Sequence, residues 1–331
     1  MSGFGDSRDG ARPNPRERTE RGLFMGYGCA LMAALLFGAN GSVAKVVLGA
    51  GITPAQLTLF RSLSAALVGG AVLVVTDRRA LRVSRRELVK LAVLGIVGVA
   101  LMQWLYAVAL EKLPVGIALL IEYTAVLMVA VVGRVFFAEQ VKPRLWLAIG
   151  FVLVGLAVVA EIWSTDLAPV GIAVAGLAAV AFAIYLMLGE RMVTSTSPLA
   201  SAFWSMVFAA LFWTAFSGWW NVDPAVLARR VSLGGHLSGT VLPIWVLLCY
   251  VMALGSFLPF LLEFVAIGRL RATPTGIVAT TEVVFGFAVA WLWLGEALDT
   301  AQLVGASIVI AGVIVAQTAR TSARPAAALV D

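Results

Sequence analysis

Four ionisable side chains lie inside long apolar stretches of the sequence, namely Arg61, Glu122, Glu263 and Glu282. A charge at the centre of a membrane-spanning helix costs about 2.5–3.5 kcal/mol on insertion scales, so each of them requires a partner or a function. Arginine offers a fork of donors that fits a carboxylate. A carboxyl group removed from water holds a proton more readily, which suits proton exchange. Together these residue types would bind a zwitterionic solute inside a membrane.

Depth along the helices places these charges near one another. At 1.5 Å per helical residue, Asn40, Arg61, Gln103 and Glu122 share a layer in one half of a membrane about 30 Å thick. Glu282 enters from the opposite side and comes within roughly 6 Å of Glu122 in depth. If the four helices of the layer face a common centre, the layer forms a polar cavity wall, with Glu282 close to it in depth.

Three aromatic residues, Trp104, Tyr123 and Tyr185, complete the candidate site with apolar surface and cation–π attraction for an ammonium group. A structural alternative stays open at this point. Arg61 and Glu122 would then form a buried pair without a ligand, and the aromatic residues would only pack the core.

The elements that position these residues are predicted from the apolar stretches themselves. Of the 331 residues, 61% are apolar and 13% are charged, against about half and a quarter in a soluble domain. Stretches of about 20 apolar residues, the length that crosses a bilayer, predict an all-α polytopic membrane protein with ten transmembrane helices. These predicted spans, called span one to span ten below, cover residues 24–47, 54–75, 88–110, 114–137, 143–162, 168–189, 199–219, 241–267, 274–294 and 301–319.

Basic residues concentrate in alternate connections between the spans, which predicts the orientation. With the N-terminus inside, the cluster at 78–90 is cytoplasmic, and the inner connections hold far more Lys and Arg than the outer ones. We therefore expect a multi-pass protein of the inner (cytoplasmic) membrane with both termini cytoplasmic. Residues 1–22 are expected to be a disordered tail and residues 320–331 a second tail. Lys45 is expected to extend to the outer surface.

The net charge of +6 does not indicate nucleic acid as a partner, because a nucleic-acid-binding protein gathers its basic residues on one soluble face. Here they lie in short clusters between apolar stretches, where they contact anionic lipid headgroups. Membrane lipids are therefore the expected partners of these clusters.

Several residue patterns that enzymes need are absent from the sequence. The two cysteines, Cys29 and Cys249, lie in apolar stretches, and the one histidine, His236, lies in a Gly/Ser-rich loop. These are too few for a metal site, and no phosphate-binding Gly-Lys-Ser/Thr motif occurs. We expect no catalytic residues, no metal and no cofactor, and we predict that the protein is not an enzyme.

The two halves of the sequence resemble each other, which predicts an internal repeat. Positions 157 apart match without a gap in the second part of each half, as Glu139 and Glu296 do at the ends of spans four and nine. We expect these two glutamates to be structural. The predicted halves are residues 23–162 and 168–319, with five spans each. Because five is odd, the second half is inverted, as is typical of alternating-access transporters with a site at the midplane.

Four motifs carry a resemblance to a known family. They are LLFGANGSVAK at 35–45, FRSLSA at 60–65, FFAEQV at 136–141 and WLGEAL at 293–298. In this order and spacing they resemble the EamA branch of the drug/metabolite transporters.

Two further segments are similar to the threonine/homoserine type of amino-acid exporter. They are IEYTAVLMVAVV at 121–132 and TEVVFGFAVAWLWLGE at 281–296. That group has proline where this chain has Val126 and Val283.

The resemblance implies a ten-helix bundle and secondary transport, most commonly export of amino acids or related metabolites, with a small-molecule substrate. It also implies peripheral spans five and ten, which would serve as the contact of a homodimer. A proton is a further candidate for binding at the carboxyls, Glu263 included. Two alternatives remain: import of similar solutes, and a membrane scaffold or accessory subunit without a substrate.

Overall fold

The computed structural model describes residues 15–136, 143–159, 168–193, 196–270, 275 and 278–319. Within these residues, seven helices are long and apolar enough to cross a membrane, and three shorter apolar helices cover 146–158, 281–294 and 300–315. Each predicted span coincides with one of these helices, so the prediction of an all-α polytopic membrane protein is confirmed. The count of ten crossings stays a prediction, because three helices are shorter than a crossing requires.

The helices follow the predicted order, and several spans consist of two or three helical pieces. Span one is Pro15–Gly49, span two Pro54–Thr76, span three Arg85–Val93 with Leu94–Leu101 and Met102–Leu110, span four Val115–Glu122 with Ala125–Phe136, span five Arg144–Val159, span six Pro169–Val193, span seven Pro198–Phe216, span eight Ile244–Met252 with Ala253–Phe257 and Leu258–Leu270, span nine Thr281–Val289 with Ala290–Leu294, and span ten Thr300–Ala319.

Helix starts follow from proline and capping residues. Span two begins at Pro54, and Thr53 caps it in a box with Gln56, in which each side chain accepts from the other residue's backbone N–H. Span seven begins at Pro198 behind the cap residue Ser197. Proline at the first helical position loses no hydrogen bond that the helix would have made. Pro274, predicted to mark the start of span nine, lies outside the described residues.

Two local predictions were wrong. Residues 15–22, expected to belong to a disordered tail, are helical from Pro15 onwards, because arginine and glutamate favour a helix that is already nucleated by the apolar span. Residues 241–243, expected to begin span eight, form strand β2 (Val241–Pro243) and pair antiparallel with strand β1 (Arg230–Ser232). Proline cannot donate within a helix, so span eight starts after Pro243.

Spans three and eight contain wide, π-helical turns at Leu94–Leu101 and Ala253–Phe257. Each turn contains a glycine that packs against the other half of the chain. The two glycines, Gly98 and Gly255, are 157 positions apart. A β-carbon on Gly98 would touch Tyr185, and one on Gly255 would overlap Asn40. Asn40 and Tyr185 occupy matching positions in the two halves, so one packing contact occurs twice.

The interruptions of spans four and nine also repeat. Span four breaks at Tyr123–Thr124, where the Thr124 hydroxyl donates to the Ile121 carbonyl at 2.7 Å. The Thr281 hydroxyl donates to the Val278 carbonyl at 2.6 Å in the same way at the start of the described helix of span nine. Such breaks free backbone groups at the depth where a transporter binds its solute.

Spans five and ten pack against each other through reciprocal glycine contacts. A β-carbon on Gly155 would touch Val309, and one on Gly312 would touch Val152. Gly155 and Gly312 are 157 positions apart, and so are Val152 and Val309. The two halves therefore contribute equivalent residues to this contact. As the position rises along span five it falls along span ten, so these equivalent helices run antiparallel.

The other close helix pairs also correspond between the two halves. Span one packs on spans eight and nine, while its equivalent, span six, packs on spans three and four. Spans two and seven pack together, as do spans four and nine.

Large apolar side chains face outwards from the bundle, while several polar and charged ones are buried inside it. Phe24 and Val75 are more than four-fifths exposed, at 83% and 85%, and the outer faces of spans five and ten carry Trp146, Phe151 and Leu303. Asn40 and Arg61, by contrast, are buried at 2% and 8% exposure. An exposed apolar surface of this extent requires lipid as its solvent, so this is an integral membrane protein.

Candidate functional site

Arg61 of span two reaches into the wide turn of span eight. Its Nε donates to the Ser256 hydroxyl at 3.2 Å, and a terminal nitrogen lies 3.4 Å from the Gly255 carbonyl oxygen. The Ser256 hydroxyl in turn donates to the Val251 carbonyl at 2.9 Å. A wide turn leaves backbone carbonyls without a helical partner. The Arg61 guanidinium donates to one such carbonyl in the second half of the chain, and its other N–H groups remain available.

Ser256 was missed by sequence reasoning. Its signal is a Gly-Ser pair within an apolar stretch, which also fits ordinary helix packing and so did not single it out.

Glu122 and Glu282 flank the interruptions of spans four and nine. Glu122 ends the helix Val115–Glu122, and Glu282 lies in the first turn of Thr281–Val289. Both lie close enough to interact electrostatically with Arg61, and Glu122 also with Glu282. The structure therefore brings three predicted site residues together from spans two, four and nine.

The two carboxyls differ in their partners. The Tyr123 hydroxyl lies 2.6 Å from Glu282 Oε2 and 3.2 Å from the Ala279 carbonyl oxygen, so it can donate to either one. Glu122, only 8% exposed, makes no hydrogen bond or ion pair with the described residues. No described residue therefore pairs with the Glu122 carboxyl.

Glu263 of span eight extends the charged group towards span six. It interacts electrostatically with Glu282, Tyr123 and Tyr185. Phe182 lies between the two tyrosines, with its ring centre 5.9 Å from that of Tyr123 and 6.2 Å from that of Tyr185. Three of the predicted residues thus form one aromatic and acidic side of the site.

The remaining predicted residues lie in two places. Asn40 and Gln103 are buried with side-chain oxygens that have no hydrogen-bond partner among the described residues. Trp104 packs on Trp213 of span seven with ring centres 5.9 Å apart, and Trp213 donates to the Ala100 carbonyl. Trp104 thus belongs to a packed aromatic pair rather than to the charged group.

Lys45, expected to extend to the outer surface, is partly exposed and is held in an ion pair. Its ammonium group lies 2.5 Å from Glu296 Oε1 and donates to the Leu113 carbonyl at 3.0 Å. Glu296 Oε2 accepts from the Val115 backbone N–H at 2.8 Å. These contacts join spans one, four and nine at one end of the molecule, called the Lys45 end below. Glu139, the equivalent of Glu296, lies outside the described residues.

A cavity of about 420 Å³ covers the Lys45 end and is lined by Lys45, Glu296 and residues of the hairpin such as Ser232 and Leu233. The hairpin is fixed to span nine, since Trp293 Nε1 donates to the Leu233 carbonyl at 2.9 Å. The central carboxyls are not among the residues that line this cavity.

The model of the EamA-like transporter family matches this chain twice, over residues 24–160 and 169–318. The chain belongs to the EamA-like transporter family. The family is one of transporters, so this membership favours transport over the enzyme and scaffold alternatives. The two matches agree with the reciprocal packing of the two halves.

Individual relatives are distant. The chain is 25% identical over 215 residues to the threonine/homoserine exporter RhtA of Escherichia coli (strain K12), a match that covers 63% of this chain and 65% of that exporter. It is 25% identical over 293 residues to the uncharacterized transporter YyaM of Bacillus subtilis (strain 168), covering 86% and 90% of the two chains.

A solved crystal structure has the same fold, with a TM-score of 0.57 over 92% of this chain and 100% of the other, at 18% identity. At that identity the likeness concerns the fold alone.

Proposed function

We propose that this chain is a secondary transporter that exports amino acids or related small polar metabolites by alternating access. The observation that carries the proposal is that Arg61, Glu122 and Glu282 lie within electrostatic range of one another inside an apolar helix bundle. An amino acid presents one carboxylate and one ammonium group, and an arginine with two carboxyls offers partners for both. Similarity to threonine/homoserine exporters supports this substrate class and the outward direction.

We assign the roles by the contacts of each group. Arg61 keeps donors beyond those that it gives to Ser256 and Gly255, and these would bind the substrate carboxylate. Glu122, which has no partner among the described residues, would take the ammonium group. Glu282, with Tyr123 as its hydrogen-bond donor, would hold a coupling proton.

Alternating access would proceed by rocking of the inverted halves, residues 23–162 and 168–319, about the central site. The Lys45–Glu296 contact joins the two halves at one end of the molecule. Opening that end requires the contact to break. We place the protein in the cytoplasmic membrane with both termini inside, which makes the Lys45 end the outer one, and we keep a homodimer through spans five and ten as a prediction.

Counterflow into proteoliposomes tests the substrate class. Vesicles that contain the purified full chain are preloaded with unlabelled threonine or homoserine and diluted into a trace of the labelled compound. We expect transient accumulation of label above the level in empty vesicles, because exchange is faster than net transport. Equal label in preloaded, empty and protein-free vesicles for these and other amino acids would contradict the proposal. Efflux compared with uptake in cells then gives the direction, with import as the alternative.

A further inference from the structure

The Tyr106 hydroxyl is a buried polar group without a partner. The residue is 7% exposed, its ring packs in the largest apolar cluster, and its hydroxyl makes no hydrogen bond with the described residues. A buried hydroxyl left unpaired is unfavourable, whereas phenylalanine would fill the same space without that cost. Packing therefore explains the ring of Tyr106 but not its hydroxyl.

The hydroxyl lies beside the charged group of the candidate site. It lies within electrostatic range of Glu122, Glu282 and Arg61. It also lies against span one, where a β-carbon on Gly41 would come within 2.9 Å of it. Tyr106 thus packs against span one within electrostatic range of the central charges.

Two further polar side chains without a described partner lie on the same spans as Tyr106 and Gly41. Gln103 precedes Tyr106 by three residues, so the two side chains share a face of span three. Asn40 is the chain neighbour of Gly41, and its Oδ1 lies against Gly255, whose carbonyl accepts from Arg61. The side-chain oxygens of Asn40 and Gln103 are enclosed and have no partner among the described residues.

We propose that Tyr106 is a specificity-determining residue, whose hydroxyl binds a neutral polar side chain of the substrate together with Asn40 and Gln103. This inference rests on the proposed function and deepens it. Arg61 and Glu122 would bind the two charged groups that all amino acids share. A phenol and two amides both donate and accept hydrogen bonds, so they fit a substrate hydroxyl, which does the same. A site that hydrogen-bonds a substrate hydroxyl rejects the analogue that lacks it.

A matched pair of solutes tests the proposal. Homoserine and 2-aminobutyrate share one carbon skeleton and differ by a single hydroxyl. In proteoliposomes of the full chain, we expect the wild type to transport homoserine with about a tenfold advantage in initial rate at low concentration, which corresponds to the loss of one hydrogen bond. The Tyr106→Phe variant should transport the two within about twofold of each other, while its transport of 2-aminobutyrate is retained or increased.

Controls separate this role from a structural one. Tyr250→Phe, which removes the hydroxyl of a partly buried tyrosine on span eight, should leave the ratio of the two rates unchanged. A Tyr106→Phe variant that keeps the wild-type ratio overturns the proposal, and so does a wild type that transports both solutes equally, although the proposed function then stands. If the wild type transports no amino acid at all, the proposed function is overturned and this proposal with it.

Discussion

The absence of a side chain at Gly255 allows polar groups of the interior to pack closely. Gly255 lets Asn40 lie directly against the backbone of span eight, and its carbonyl accepts from Arg61. Any β-carbon there would displace Asn40, since its Oδ1 would be overlapped. The glycine is helical and its freedom of φ is not used, so the requirement is purely steric.

We predict that Gly255→Ala lowers stability by about 1–3 kcal/mol, the usual cost of inserting a methyl group into a packed interior. Chemical denaturation of the purified protein in detergent micelles measures this. Gly176→Ala is the matched control, because that glycine of span six has nothing within 4 Å of its would-be β-carbon. Equal stability of the two variants would show that the interface of spans one and eight adapts freely.

Glu122 is the residue at which function and structure are most easily separated, because no described residue depends on its carboxyl. We predict that Glu122→Gln abolishes amino-acid counterflow while expression and thermal stability remain at the wild-type level. The amide keeps the shape but cannot bind an ammonium group by charge. Glu111→Gln, an exposed change at the end of span three, should transport normally. Retained activity of Glu122→Gln would assign that residue to structure.

Spans one, four and nine meet at the Lys45 end through one ion pair and its two backbone contacts. Lys45 and Glu296 are 251 positions apart, so the pair joins the two halves of the chain. Their side chains are 31% and 16% exposed, which screens the attraction in part. The pair nevertheless satisfies the Leu113 carbonyl and the Val115 N–H, which would otherwise lie unpaired near the end of a span.

A double-mutant cycle measures how strongly this contact joins the elements. We predict that Lys45→Met and Glu296→Gln each lower the free energy of unfolding in detergent by about 1–3 kcal/mol. The double variant should lose about 1–2 kcal/mol less than the two single losses together, because each single change leaves its partner unpaired. Strict additivity would mean that the contact does not hold the spans together.

The whole molecule is held in the membrane by an apolar exterior, and its orientation is a property of all spans together. We predict that a cysteine at Ser238 in the hairpin region reacts with an impermeant maleimide in intact cells, whereas one at Arg82 reacts only after the membrane is opened. Cys29 and Cys249 are first replaced by alanine, so that only the new thiol is labelled. Both sites are exposed or nearly so and lie outside the apolar spans. The reverse pattern would invert the orientation and make the Lys45 end cytoplasmic.

Proton coupling is also a property of the complete cycle, because it requires both open states. If Glu282 exchanges a proton for substrate, an imposed pH gradient should raise the level of substrate that proteoliposomes accumulate, and a protonophore should abolish the increase. Substrate that reaches the same level at the same rate with and without the gradient would indicate uniport. The Glu122→Gln variant, for which we expect no transport, gives the background level of substrate in the vesicles.

The sequence by itself determined the class of the protein, the place and order of its helices, and the duplication of its halves. These depend on local quantities: apolar length, the position of proline, and the match of residues 157 apart. The same local counting identified Arg61, Glu122 and Glu282, because a charge within an apolar stretch stands out without knowledge of its neighbours.

Only the tertiary structure decided which of these residues meet and what pairs with them. Ser256 as the partner of Arg61, and Tyr123 as the donor to Glu282, depend on the rotation of each helix about its axis and on the wide turns, which hydropathy does not report. Lys45 shows the limit most clearly, since its partner Glu296 lies 251 positions away and is brought to it by the packing of spans one, four and nine. The β-hairpin before span eight was likewise hidden, because the pairing of two three-residue strands is decided by contact with span nine and not by their own sequence.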